Sequence, residues 1–303
     1  MAGVSLALAM LIADPVILGA TPVPLSGEAA DAVVLQGEAD QHARMTIDVA
    51  VHGAGPYRFL IDTGSQRTVV STTLAGVLGL APGPQVRVIG MAGAFDVATA
   101  KVRSIAFGER AFHDLTVPLL ERGNIGADGI LGTDSLQHQR VLLDFARNTI
   151  RIGDASDLGG RDGFDIVVRA KHRSGRLILT NAEVDGVRAD VVIDTGASGT
   201  VGNRALQRAL ARKVRGPQRG VGVLTSVTGH ELPIDLQVAG KLELGGMGVT
   251  NVVIGYADAP AFGELKLDRR PALFLGMREL RAFKRVAIDF STRKVLFDLA
   301  KAD

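Results

Sequence analysis

The hexapeptide Phe-Leu-Ile-Asp-Thr-Gly at residues 59–64 recurs 132 residues later as Val-Val-Ile-Asp-Thr-Gly at residues 191–196. The likeness continues on both sides of the two hexapeptides at the same spacing. It pairs Met45 with Leu177, Ile47 with Leu179, Ala50 with Ala182, Thr68 with Thr200 and Val69 with Val201. A match that extends over about 25 positions indicates two copies of one structural unit rather than a chance tripeptide.

Two further motifs recur downstream in the same order. Ile-Leu-Gly at 130–132 corresponds to Phe-Leu-Gly at 274–276, and Leu-Asp-Phe at 143–145 corresponds to Ile-Asp-Phe at 288–290. The spacing grows by about a dozen residues in the second copy, as expected if a loop there is longer. We interpret Asp144 and Asp289 in the last pair as structural residues that cap a turn or pair with an arginine.

The repeats divide the chain into two lobes. We predict lobe one at residues 36–153 and lobe two at 164–303, joined by a linker at 154–163 that is rich in Gly, Asp and Ser. Short apolar runs separated by turn residues predict an all-β fold with a few short helices. The strongest helix signal is residues 205–214, where Leu206, Leu210 and Val214 recur every four residues. Short helical turns are expected after Gly132 and Gly276.

The composition excludes several classes of function. The 34 basic and 32 acidic residues nearly balance, which gives no reason to expect a nucleic-acid partner. The chain contains no cysteine, so disulfides and thiol catalysis are excluded. Its six histidines show no metal-like spacing, and the glycine cluster at 245–248 lacks the βαβ context of a dinucleotide site. We therefore predict neither a metal nor a cofactor.

Residues 1–35 are predicted to be a signal peptide or a disordered N-terminal segment. An apolar run at 2–13 is too short to span a bilayer but has the length of the apolar part of a signal peptide. No Lys or Arg precedes Arg44, which departs from the usual basic start of such peptides. We expect an exported, periplasmic protein, with a cytoplasmic location as the alternative.

The predicted helix carries a basic stripe of Arg204, Arg208, Arg212 and Arg215. Because the opposite face carries the leucines, we interpret the stripe as a solvated helix face. Docking to an anionic membrane or envelope polymer is the alternative interpretation.

The repeated Asp-Thr-Gly has a chemical rationale. An apolar strand anchors the segment, the aspartate lies where the strand ends, and glycine permits a tight turn that brings backbone amides to the carboxylate. Threonine can bond across to its twin and hold two such turns in register. Two turns placed face to face would bring together two carboxylates that cannot both ionise easily and so share one proton.

These motifs resemble those of the aspartic proteases of the pepsin and retropepsin group. The resemblance covers nearly everything from residue 44 to 299, and the lobes are closer in size to a retropepsin subunit than to a pepsin lobe. It implies a two-lobed acid protease fold in which the motifs at 130–132 and 274–276 buttress the catalytic turns. Asp62 and Asp194 would be catalytic, supported by Thr63, Gly64, Ser65, Thr195, Gly196 and Ala197.

The same resemblance implies a flap-like hairpin in each lobe. The candidates are Gly90, Met91 and Gly93 in lobe one and Thr228 and Gly229 in lobe two, although neither segment has the tyrosine of a pepsin flap. In this family the side chain three residues after each aspartate can reach its outer oxygen. We therefore expect the Ser65 hydroxyl to favour the charged form of Asp62, whereas Ala197 cannot do so for Asp194.

The resulting prediction is a monomeric endopeptidase that hydrolyses a protein or peptide substrate with water activated between two aspartates of one chain. The alternative is a catalytically inactive peptide-binding module with the same fold.

Overall fold

The computed structural model describes residues 17–18, 33–36, 38–39, 44–108, 110–158, 163–213 and 219–299, with only the backbone described before residue 44 and at Arg219. The strands are β1 (Ile17–Leu18), β2 (Val33–Gln36), β3 (Glu38–Ala39), β4 (Met45–Val51), β5 (Ala54–Ile61), β6 (Val69–Ser71), β7 (Ala81–Ile89), β8 (Ala94–Phe107), β9 (Arg110–Leu120), β10 (Gly129–Leu131), β11 (Arg140–Asp144), β12 (Thr149–Gly153), β13 (Ile166–Arg173), β14 (Arg176–Val184), β15 (Val187–Ile193), β16 (Thr200–Asn203), β17 (Arg219–Thr225), β18 (Glu231–Leu244), β19 (Met247–Ala257), β20 (Ala272–Leu275), β21 (Phe283–Asp289) and β22 (Lys294–Leu299). The helices are α1 (Thr72–Val77), α2 (Arg122–Ile125), α3 (Thr133–Leu136), α4 (Arg204–Ala211), α5 (Pro260–Glu264) and α6 (Met277–Leu280).

The two lobes repeat one strand arrangement, so the prediction of a two-lobed all-β fold is confirmed. The lobe-one sheet has the order β3-β4-β5-β10-β6-β9-β8-β7, and the lobe-two strands follow as β14-β15-β20-β16-β19-β18-β17. In each lobe a short central strand, β10 or β20, runs parallel to one neighbour and antiparallel to the other. That strand comes from the repeated hydrophobic-hydrophobic-Gly motif and lies beside the strand that ends in Asp-Thr-Gly.

A sheet shared between the copies joins the lobes. Its order is β2-β12-β11-β21-β22-β13, and the pairing of β11 with β21 is antiparallel and crosses from the first copy to the second. Strand β13 pairs with β22 through its first half and with β14 through its second half, which connects the shared sheet to lobe two. Strand β2 overlaps the end of the predicted N-terminal segment and pairs with β12.

One large apolar core continues through both lobes and the shared sheet. It includes the fully buried side chains of Ile47, Leu143, Leu179 and Ile288. Two smaller clusters lie on the sides of the lobes that carry the Asp-Thr-Gly turns. The lobe-one cluster consists of Leu60, Val69, Leu120, Ile125, Ala127 and Ile130, and the lobe-two cluster includes Val201, Phe262, Leu265 and Phe274.

The helix predicted at 205–214 is present as α4. Asn203 caps it, since its side chain accepts a hydrogen bond from the Leu206 amide at 2.8 Å. Leu206 and Leu210 are buried, as the four-residue spacing predicts, whereas Val214 and Arg215 lie outside the described residues. Within the basic stripe, Arg204 is paired with Asp235 of β18, so it is part of the lobe's own packing. The short helices α3 and α6 follow Gly132 and Gly276, as predicted.

The repeated aspartates of the shared sheet are structural, as predicted, but their partners differ. Asp289 is fully buried and accepts bonds from Arg140 Nη2 at 2.8 Å and Nε at 3.1 Å, and the Arg140 side chain is itself only 3% exposed. Its equivalent, Asp144, caps a turn through the Arg147 amide at 3.0 Å and faces the exposed Arg147 guanidinium. The ion pair of Arg140 and Asp289 therefore ties lobe one to lobe two inside the shared sheet.

We predict that Asp289→Ala destabilises the protein much more than Asp144→Ala. The first substitution leaves a buried guanidinium without its carboxylate, which costs about 3–5 kcal/mol. The second removes one turn hydrogen bond and one exposed ion pair, which together contribute about 1 kcal/mol. Guanidinium unfolding of the two variants beside the wild type measures the difference. Equal losses of unfolding free energy would show that the ion pair of Arg140 and Asp289 contributes no more to stability than the Asp144 turn.

Candidate active site

Asp62 and Asp194 occupy equivalent turns at the ends of β5 and β15. In each turn one carboxylate oxygen, Oδ1, accepts two backbone amides. Asp62 accepts those of Gly64 at 2.8 Å and Ser65 at 2.9 Å. Asp194 accepts those of Gly196 at 3.0 Å and Ala197 at 3.1 Å. The tight turn thus aims two N–H groups at each carboxylate and leaves its second oxygen to the cleft.

The two turns are joined by threonines that bond across the lobe boundary. The Thr63 hydroxyl donates to the Ile193 carbonyl at 2.8 Å and accepts the Thr195 amide at 3.3 Å. Reciprocally, the Thr195 hydroxyl donates to the Ile61 carbonyl at 2.6 Å and accepts the Thr63 amide at 3.1 Å. Both threonines are buried, so these four bonds fix the relative position of the aspartates.

The glycines of the motif are needed because the turns are pressed against each other. A Cβ at Gly64 would lie 2.6 Å from the carboxyl carbon of Asp194, and one at Gly196 would overlap the carboxyl group of Asp62. Each glycine therefore lies against the carboxylate of the opposite lobe. This reciprocal contact shows directly that the structure brings Asp62 and Asp194 together.

The central strands support the turns from behind. The Asp62 amide donates to the Leu131 carbonyl of β10, and the Asp194 amide donates to the Leu275 carbonyl of β20, both at 3.0 Å. Gly132 and Gly276 follow these strands and allow the backbone of 67 and 199 to pass within contact distance. The two motifs therefore have the buttressing positions that the family resemblance implies.

Burial raises the pKa of both aspartates. The pKa of Asp194 rises to about 7, mainly because the carboxyl group loses solvation and also because Asp62 repels its negative charge. The amides of Gly196 and Ala197 and the charge of Arg176 oppose this rise. For Asp62, the loss of solvation also raises the pKa against its own turn amides, Arg176 and Arg44. Groups this strongly coupled titrate as a pair, so between the two ionisations the pair holds one proton and one negative charge.

The prediction that the Ser65 hydroxyl bonds to the Asp62 carboxylate is wrong. Its hydroxyl donates to the Arg67 carbonyl at 2.9 Å, and only its backbone amide bonds to Asp62. The two turns therefore offer their aspartates the same pair of amides whether serine or alanine follows glycine. The difference between Ser65 and Ala197 is not the source of any asymmetry in the dyad.

Two arginines beside the dyad were missed in the sequence. Arg44 lies in lobe one and its guanidinium reaches the Gly196 carbonyl at 3.4 Å, while Arg176 lies in lobe two and its Nε donates to the Gly64 carbonyl. Both are nearly buried, and both stand near enough to the aspartates to lower the pKa of Asp62. Their spacing of 132 residues equals that of the aspartates, so extending the repeat by one residue would have found them.

The flap candidates lie at the tips of two hairpins, β7–β8 and β17–β18, whose residues line the same cleft as the aspartates. The lobe-one tip is closed by a bond from the Gly90 amide to the Gly93 carbonyl at 2.9 Å. In the lobe-two tip the Gly229 amide donates to the Ser226 carbonyl at 2.8 Å, and the Thr228 hydroxyl donates to the Ser226 hydroxyl.

The two tips touch each other and cross to the opposite lobes. A Cβ at Gly90 would lie 3.0 Å from the Ser226 hydroxyl, and the rings of Phe95 and His230 stack with centroids 3.4 Å apart. Met91 of the lobe-one hairpin packs on the lobe-two cluster, whereas Val227 of the lobe-two hairpin packs on the lobe-one cluster. The hairpins thus form a roof that spans both lobes.

Together, the turns, hairpins and lobes enclose a cleft of about 1290 Å³. Its walls are mainly apolar and include residues of both clusters, such as Val69, Ile130, Val201 and Phe274, with the two aspartates on the floor. Across the described part of the chain, no three His, Cys, Asp or Glu side chains are grouped so that they could hold a metal ion. No helix within that part is long and apolar enough to cross a membrane.

Comparison with known families agrees with this geometry. Residues 47–135 and 180–278 each match the sequence model of the aspartyl protease family, and together these stretches make up more than half of the chain. The protein therefore belongs to the aspartyl protease family, with one matched region in each lobe. No curated protein shows a significant match to the chain.

We predict that Gly64→Ala destabilises the fold whereas Gly199→Ala does not. The new methyl group at 64 would collide with the Asp194 carboxyl group, which its own turn amides hold in place, so we expect a loss of about 1–3 kcal/mol. Gly199 follows the second turn, and a Cβ there meets nothing within 4 Å, so the loss of stability in Gly199→Ala should stay within about 0.5 kcal/mol. Chemical unfolding of both variants checks this, and equal stabilities would contradict the reciprocal glycine contacts.

Proposed function

We propose that the protein is an aspartic endopeptidase that hydrolyses peptide bonds with a water molecule activated between Asp62 and Asp194. The observation that carries the proposal is the reciprocal arrangement of two buried carboxylates, joined by Thr63 and Thr195, on the floor of a cleft between the lobes. A buried pair that shares one proton has both functional groups that amide hydrolysis requires, one base and one acid.

The proposed reaction starts from the state in which Asp62 and Asp194 share one proton. The ionised carboxylate removes a proton from water, and the oxygen of that water attacks the carbonyl carbon of the scissile bond. The protonated carboxyl group donates to the carbonyl oxygen, which stabilises the negative charge that develops there. The carboxyl group that took the proton from water then transfers it to the amide nitrogen, so that the carbon–nitrogen bond breaks and an amine and a carboxylic acid are released. Because Asp194 has a pKa of about 7, the pair loses its acid as the pH rises above neutrality.

The cleft supports binding of an extended peptide. Its walls are formed by strands and hairpins of both lobes, so a peptide lying across the dyad can form strand-like backbone hydrogen bonds with them. The apolar clusters on either side, which include Ile130 and Phe274, favour apolar side chains next to the scissile bond. The roof formed by the two hairpins would exclude bulk water from the reacting atoms.

We expect Asp62→Asn and Asp194→Asn each to reduce peptide hydrolysis by about 10³-fold or more, because either change removes one member of a single acid–base pair. The double variant should be no slower than either single variant, since residues that act as a unit are not additive. Digestion of a peptide library, followed by rates on one cleaved peptide, measures this, with thermal unfolding as the control for folding. Substantial activity in either single variant would reject a shared dyad.

The same assay separates the rival interpretations. A wild-type protein that binds library peptides but cleaves none would be a peptide-binding module. Because one chain supplies both aspartates, we propose that a monomer is active, so the specific activity should not change on dilution. A loss of activity on dilution would instead indicate an obligate dimer.

We also propose that the protein is exported to the periplasm, on the basis of the apolar run at residues 2–13. N-terminal sequencing of the protein from its native cells should then find about the first 20 to 30 residues missing, which is within the usual length of such segments. A protein that retains Met1, or loses it alone, would contradict export by this route.

A further inference from the structure

The charges that line the cleft are unequal in number. Five arginines line it, whereas the lining acids are the two aspartates of the dyad together with Asp114 and Asp134. With one proton shared in the dyad, the acids contribute three negative charges against five positive ones. A cleft with excess charge of one sign attracts and retains ligands of the opposite sign.

Three of the arginines already have partners within the protein. Arg44 and Arg176 bond to the carbonyls of the catalytic turns, and Arg87 pairs with Asp96 at 3.4 Å. Of the acids, Asp134 is engaged, since it accepts the amide of Thr68 at 2.9 Å and its hydroxyl at 2.7 Å. Arg44, Arg176 and Asp134 are thus held by bonds within the protein, and Arg87 has a counterion in Asp96.

The remaining two arginines, Arg67 and Arg278, face the cleft with their charges largely uncompensated. Arg67 is exposed and has no ion pair with any described residue. The Arg278 side chain is 40% exposed, and its ion pair with Glu279 is a long contact of 3.9 Å. Glu279 is a poor counterion because its other carboxylate oxygen accepts the Thr200 hydroxyl at 2.5 Å, and burial raises its pKa.

Arg67 and Arg278 stand in equivalent places on opposite sides of the dyad, although they come from different motifs. In lobe one, the Asp134 amide bonds to the Gln66 carbonyl at 3.3 Å, and in lobe two, the Arg278 amide bonds to the Ser198 carbonyl at 3.0 Å. Position 278 is thus beside residues 198–199 just as position 134 is beside 66–67. Lobe one therefore has Arg67 at the first of these two places and Asp134, which is bonded to Thr68, at the second. Lobe two has Gly199 at the first place and Arg278 at the second.

We propose that Arg67 and Arg278 form two anion-binding subsites, one on each side of the catalytic dyad, and that they select peptides with Asp or Glu on both sides of the scissile bond. The proposal rests on the proposed peptidase function and extends it to a substrate class. An extended peptide that crosses the dyad from one lobe to the other passes both arginines, while the apolar walls between them receive the central side chains. The preferred substrate is therefore an apolar core flanked by acidic residues.

The test uses a fluorogenic peptide that the wild type cleaves, with Glu or Gln placed in turn at the second, third and fourth positions on each side of the scissile bond. We expect kcat/KM to be about 1.5- to 5-fold higher for Glu than for Gln at one position on each side, the range found for exposed ion pairs. The preference should shrink at high salt and below about pH 4, where Glu loses its charge.

Charge-removing variants assign each subsite to its arginine. Arg67→Gln should bring the Glu-to-Gln ratio to about one on one side only, and Arg278→Gln should do so on the other side. Arg208→Gln removes an exposed arginine of α4, which does not line the cleft, and should leave both ratios unchanged. A wild type that cleaves Glu and Gln peptides equally, or keeps its preference in the Arg67→Gln and Arg278→Gln double variant, would overturn the proposal.

Binding measurements separate this proposal from the proposed function. The Asp62→Asn variant keeps both arginines, and fluorescence anisotropy gives its Kd for labelled Glu and Gln peptides of the same sequence. Tighter binding of the Glu peptide, lost in Asp62→Asn combined with the two arginine substitutions, supports the subsites even if the wild type cleaves nothing. Equal Kd values reject them even if the wild type is an active peptidase.

Discussion

Two carboxylates buried against each other are the constraint on which this structure depends. Removing an ionised group from water is costly, and placing two together adds repulsion. The fold offsets the cost with two turn amides for each aspartate, with the nearby guanidinium groups of Arg44 and Arg176, and with a shared proton. The crossed bonds of Thr63 and Thr195 fix the positions of the turns that supply these donors.

Each lobe needs the other because several of the contacts that support the dyad are reciprocal between the copies. The threonines, the motif glycines and the two arginines all reach from one copy to the turn of the other. The shared sheet and the buried pair of Arg140 and Asp289 supply the rigidity that such contacts require. The two copies thereby form one site, although either copy alone carries only half of it.

The two copies have diverged where symmetry is not required. Asp144 and Asp289 are both buried and each caps a turn, but Asp289 also pairs with the buried Arg140, whereas Asp144 faces the exposed Arg147. In lobe one the exposed arginine that lines the cleft is Arg67, which follows the Asp-Thr-Gly turn. In lobe two it is Arg278, which follows the central strand. A peptide has a direction and no internal symmetry, so a cleft with two different walls can distinguish its two ends.

The sequence by itself determined the duplication, the all-β class and the identity of the two aspartates, because motif order and strand-ending Asp-Thr-Gly turns are local patterns that survive in a linear reading. It also indicated that Asp144 and Asp289 are structural and that helices follow Gly132 and Gly276. Only the tertiary structure decided that the Ser65 hydroxyl bonds to the Arg67 carbonyl instead of to Asp62. The same holds for the positions of Arg44 and Arg176, for the crossing of the hairpins to opposite lobes, and for the largely uncompensated charges of Arg67 and Arg278. The arginine positions and the crossing of the hairpins depend on groups that meet across more than a hundred residues of chain. The Ser65 hydroxyl has its partner only two residues away, but its choice between that carbonyl and the Asp62 carboxylate is set by the packing of the folded turn rather than by the order of residues.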